Sequence, residues 1–145
     1  MTAQSLAARP AQAPWTVQVL RAVVVLHVVA LLFQAVTAGM LLSSPGGRGL
    51  HAASGMALAV IGLAHLVVAI LVWRPGGGSA KFIGPAAGLL VLTVVAAVLG
   101  MAHVKTVHLP LGVLLFGGGV MQLTRVMAVT RVMAVTRVMA RPGSA

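Results

Sequence analysis

The sequence predicts an all-α protein, a membrane-embedded up-and-down four-helix bundle, on three observations. Of its 145 residues 60% are apolar and 7% charged, against about 25% charged in an ordinary soluble domain. The apolar residues fall into four runs, each of a length that crosses a hydrocarbon core. The runs are separated by short connections, which send consecutive helices in opposite directions. Water would have to be kept from most of this surface, whereas a bilayer accommodates it, provided that helices close their own backbone hydrogen bonds.

Taken in order, residues 1–17 are rich in Ala, Gln and Pro and are expected to be poorly ordered, with Trp15 near the membrane interface. The four-helix transmembrane domain is expected over 18–123. Its first span, 22–42, follows Arg21 and is free of charge. Secretory signal peptides have apolar regions of about 7–15 residues, shorter than this run, so the span is expected to be retained. The stretch Ser43-Ser44-Pro45-Gly46-Gly47-Arg48-Gly49 reads as a loop, and the second span, 51–73, closes at Arg74-Pro75 and a Gly-rich stretch. The third span is 82–101. Lys105 lies in the connection that follows, and the fourth span is 107–123. Residues 124–145 form a basic tail with the hexad Thr124-Arg125-Val126-Met127-Ala128-Val129 repeated from Thr130 and Thr136. Six residues turn a helix by about 600°, so the repeated arginines make no single face. The tail is expected to be a basic helical extension along the membrane.

Composition excludes several functions. The chain has no Asp, Glu or Cys, so paired-carboxylate hydrolysis, carboxylate-bound Mg²⁺ or Ca²⁺, a Ser-His-Asp triad, thiolate zinc sites and disulfides are all ruled out. The net charge of +10 comes from basic residues scattered singly between apolar runs, which is not the basic, aromatic-laced surface that binds nucleic acid. The charges read instead as a topology signal. Arg9, Arg21, Arg74, Lys81, Arg125, Arg131, Arg137 and Arg141 fall on one side of a four-span bundle, and Arg48 and Lys105 on the other. The excess of basic residues on cytoplasmic segments then predicts a multi-pass protein of the cytoplasmic membrane with both termini in the cytoplasm.

The remaining chemistry rests with histidine. His51-Ala52-Ala53-Ser54-Gly55 opens the second span and His108-Leu109-Pro110-Leu111-Gly112 the fourth, each a His-x-x-x-Gly. Positions i and i+4 share a helix face, so Gly55 and Gly112 are expected to leave room beside each imidazole for a flat group. In an up-and-down bundle the second and fourth helices run parallel and stand diagonally, which brings His51 and His108 to one depth, the arrangement of two axial ligands on one haem iron. The alternative is a pair of interfacial histidines wetted at helix starts. His27 and His65 form a deeper pair at nearly equal depth, able to share a hydrogen bond, a metal or a second haem. Their blander reading is a polar interhelical contact with Gln34.

The Phe33-Gln34 pair and Gly39-Met40 in the first span, His51 at the start of the second and His108-Leu109-Pro110-Leu111-Gly112 at the start of the fourth resemble small four-helix membrane proteins of actinobacterial type. More distantly they resemble one half of haem A synthase and the core of cytochrome b561-like proteins. That resemblance, over residues 19–123, implies His51 and His108 as ligands of haem b and an electron-transfer role. The chain lacks any carboxylate for synthase chemistry, so haem binding is expected and the synthase reaction is not. The competing expectation is a cofactor-free structural or accessory membrane subunit. The partners expected are the lipid bilayer and, beyond it, a redox protein, a membrane complex or a second copy of the chain.

Overall fold

The computed structural model describes residues 14–139, with side chains as far as Val129. Four helices make up the described chain: α1 (Trp15–Ser43), α2 (Gly47–Trp73), α3 (Ile83–Met101) and α4 (Lys105–Met139), with a 3-10 turn at Ala80–Phe82 leading into α3. All four are long and apolar enough to cross a membrane. Their outward surfaces are apolar too, with Val29 and Phe33 of α1, Met56 and Val60 of α2, Val91 and Val98 of α3 and Val113 and Leu114 of α4 all exposed. A helix apolar on every side needs lipid where it does not meet protein. The chain is an integral, multi-pass membrane protein built as an all-α bundle.

The helices are longer than the apolar spans because a charge limits a span without ending a helix. α1 begins at Trp15, two turns before 22, where the Pro14 carbonyl accepts from the Val17 and Gln18 amides at 2.9 and 3.3 Å. Of the stretch read as a loop, residues 47–49 become the first turn of α2, with the Gly47 amide donating to the Ser44 carbonyl at 3.1 Å. Only residues 44–46 connect α1 to α2. Gly47 lies so close to the Met40 carbonyl that a Cβ there would overlap backbone. α4 continues through the hexads to Met139, since Ala, Met, Arg and Val contain no breaker.

α3 ends in a Schellman motif: the Val104 amide donates to the Leu99 carbonyl at 3.0 Å and the His103 amide to that of Gly100 at 3.1 Å. The position that must turn left-handed is occupied by His103, at φ 60°.

α1 packs against α2 and α4, and α3 against the same two, so α2 and α4 stand on one diagonal and α1 and α3 on the other. Along the axis the interior is layered. At the Arg74 end lies an apolar cluster that includes Leu20, Val24, Ala69, Val72, Phe82 and Val126. The histidines His27 and His65 follow, both fully buried. Next comes a second apolar cluster of Leu31, Leu58, Leu89, Ala96 and Leu115, and beyond it the polar group around His51.

Candidate functional site

The site nearest the Arg48 end is assembled from all four helices. α2 contributes His51 and Ser54, α1 Gln34 and Thr37, α4 His108 and α3 the Ala96 carbonyl. The diagonal placement of α2 and α4 brings the His51 and His108 rings to a centroid separation of 6.1 Å with their planes 83° apart.

His108 Nδ1 lies 2.8 Å from the Ala96 carbonyl oxygen. A carbonyl can only accept, so Nδ1 carries the proton and Nε2 of the neutral ring keeps a lone pair. Gly100 makes this possible, because a Cβ there would press on the His108 ring at 3.0–3.6 Å.

His51 reaches the same tautomer through side chains. Its Nδ1 is 3.1 Å from Thr37 Oγ1, whose hydroxyl donates to the Gln34 backbone carbonyl at 3.0 Å and so accepts from Nδ1–H. Ser54 Oγ donates to Gln34 Oε1 at 2.5 Å, which turns the Gln34 amide nitrogen toward the imidazole, 3.3 Å from both Nδ1 and Nε2 of His51. With Thr37 Oγ1 as the nearer partner of Nδ1, the assignment puts the proton on Nδ1 and the lone pair on Nε2, beside the Gln34 amide.

Among the residues singled out in the sequence, His51 and His108 are thus brought together. Gly55 lies against the Gln34 amide, which a Cβ would meet at 3.2 Å. Gly112 is exposed, with no atom near enough to touch a Cβ placed there. Leu111, one residue earlier, packs on the apolar layer instead. Gln34 belongs to the His51 group and not to the deeper pair. Thr37, Ser54, Ala96 and Gly100 escaped sequence reasoning. So did the basic residues one turn before each histidine, Arg48 before His51 and Lys105 before His108, although the spacing repeats and could have been noticed.

The deeper pair is formed by α1 and α2 alone. His27 Nδ1 and His65 Nδ1 are 3.0 Å apart, with ring centroids separated by 5.3 Å and the planes nearly perpendicular. No group of three or more metal-ligating His, Cys, Asp or Glu side chains occurs among the described residues.

No protein family, curated protein or solved structure matches this chain. Its function is therefore argued from the site.

Proposed function

We propose that the protein binds a b-type haem between His51 and His108 and carries electrons in the cytoplasmic membrane, its termini in the cytoplasm. One observation carries the reading: two imidazoles on diagonal helices, each with Nδ1 committed to a protein acceptor, leaving an Nε2 lone pair at the same depth of the bundle. Ligating histidines are held in this way, with the second nitrogen donating to protein. His51 and His108, with ring centroids 6.1 Å apart, would be the residues that hold the haem iron. His51 has to give up the Gln34 amide to become a ligand. Arg48 and Lys105, each one turn toward the membrane surface, are the residues suited to meet the haem's carboxylates. When bound, haem supplies one-electron chemistry; the histidines and their acceptors set its position.

The second reading, a cofactor-free accessory subunit, is favoured by the same Gln34 amide, since the polar group closes on itself without a ligand. The experiment is a reduced-minus-oxidised spectrum of the full chain purified in mild detergent after expression with haem supplied. A b-type band pair that is lost in both His51→Ala and His108→Ala establishes the haem reading. A flat spectrum of the unaltered protein sinks it and leaves the accessory role.

A further inference from the structure

Four buried side-chain atoms have no hydrogen-bond partner among the described residues: Thr16 Oγ1, His27 Nε2, His65 Nε2 and Gln122 Oε1. Unpartnered polar atoms are costly in a bilayer interior, and polar residues kept there mark pathways for ions and protons more often than packing. Gln122, whose Nε2 donates to the Phe82 carbonyl at 3.5 Å, stands one turn from Gly119, which packs on Val28 and Leu31 of α1, so it lies between the level of His27 and the Arg74 end. Thr16 lies at the Arg74 end itself, where its Oγ1 would meet a Cβ on Gly76 at 3.1 Å.

The contact between the two histidines fixes their protons. A hydrogen bond between two Nδ1 atoms 3.0 Å apart requires that one carry the proton and the other a lone pair. In the neutral pair the donor ring therefore has a bare Nε2 and the acceptor ring an Nε2–H. The two orphaned atoms are thus one proton acceptor and one proton donor, linked through a shared proton.

We propose that His27 and His65 are the central element of a proton-transfer path through the bundle. A proton arrives on the bare Nε2 of the donor ring. That ring's Nδ1 proton crosses to the partner's Nδ1, and the partner releases its Nε2 proton. One proton enters, one leaves, no electron moves, and the pair ends with its tautomers exchanged, so the rings have to reorient and restore the starting tautomers before a second proton follows. Toward the Arg74 end, Gln122 Oε1 is the next free acceptor and Thr16 Oγ1 the last, with the apolar layer of Leu20, Val24 and Phe82 between them for the proton to cross. Toward the other end, Thr93 of α3 is buried beside the leucine layer, its hydroxyl donating to the Leu89 carbonyl at 2.8 Å, before the His51, Thr37 and Ser54 group. Uncharged residues surround the pair: Gly62 of α2 lies against His27 and Leu90 of α3. The nearest cations in sequence, Arg21 to His27 and Arg74 to His65, are exposed, and the chain has no carboxylate. The path is independent of haem.

The test is proton flux into phosphatidylcholine–phosphatidylglycerol vesicles that enclose a pH-sensitive dye, driven by a valinomycin-set potassium potential. The full-length chain is reconstituted with and without haem. Flux above that of protein-free vesicles is expected, slowed in D₂O, unchanged by the lipid-facing Met56→Ala, and lost in His27→Gln and His65→Gln, which keep a hydrogen-bonding side chain but cannot relay. Flux from the unaltered protein no greater than that of empty vesicles overturns the proposal, and so does flux that persists in either glutamine variant. A flat haem spectrum leaves it standing.

Discussion

The His108 imidazole donates from Nδ1 to the Ala96 carbonyl at 2.8 Å, a bond between α4 and α3 that orients the one ring α4 contributes to the site. Gly100, one turn beyond Ala96, provides the space in which that ring lies. Gly100→Val should therefore push His108 off Ala96. Overpacking of this kind costs about 1–3 kcal/mol, to be read as a lower unfolding temperature in detergent and, on the proposed haem reading, as weaker haem retention. A variant as stable as the parent would show that His108 is not held by this contact.

His103 adopts φ 60° at the end of α3, where glycine bears no Cβ penalty. His103→Gly should stabilise the protein by about 1 kcal/mol, whereas His103→Val should destabilise it. Thermal unfolding of the two variants side by side decides the matter, and the haem spectrum should be indifferent to both.

The buried contact between His27 and His65 makes their substitutions non-additive. His27→Leu or His65→Leu alone strands the partner's Nδ1 in an apolar interior, at a cost of about 1–3 kcal/mol. The double leucine variant should recover much of that loss. A double-mutant cycle measured by unfolding in detergent that closes to zero coupling would contradict the contact.

Gly47→Ala places a Cβ against the Met40 backbone carbonyl, and backbone yields far less readily than a side chain. The substitution should cost about 2 kcal/mol or more, while Gly49→Ala, with open space around it, should be neutral or stabilising. Equal stability of the two alanine variants would count against the tight α1–α2 turn.

The absence of cysteine from the chain allows single thiols to report topology. With both termini in the cytoplasm, Ser44→Cys should react with a membrane-impermeant maleimide added to intact cells, and Ser79→Cys, exposed in the α2–α3 connection, only after the cells are opened. The reverse pattern would invert the proposed orientation.

The architecture was legible because apolar runs and short connections leave few alternatives. The diagonal pairing of α2 and α4, and with it the meeting of His51 and His108, follows from four antiparallel helices. So does the contact of His27 with His65, whose depths are set by distance from the α1–α2 turn. Helix ends were not legible: Arg21 does not interrupt α1, which Pro14 begins and Ser44 bounds, and Gly47 and Gly49 open α2. The partners of His51 were hidden for another reason. Gln34 is seven residues from His27 and shares its face, which suggested the deeper pair, but antiparallel packing sets it opposite His51 and Ser54. For Gly112, spacing from His108 was a guide only to the face. The inward rotation of α4 is fixed further along by Leu115 and Gln122, and it is Leu111 that meets the core.

The diagonal arrangement also bears on biogenesis. α2 and α4 approach each other only across the interior, and the ring that completes the upper site belongs to the fourth of the described helices in chain order. The His27–His65 contact, by contrast, needs only α1 and α2 and can form while the rest of the chain is still on the ribosome. Maturation then has a fixed sequence: the deep imidazole pair is sealed first, and whatever the upper site receives can be installed only after translation has passed α4.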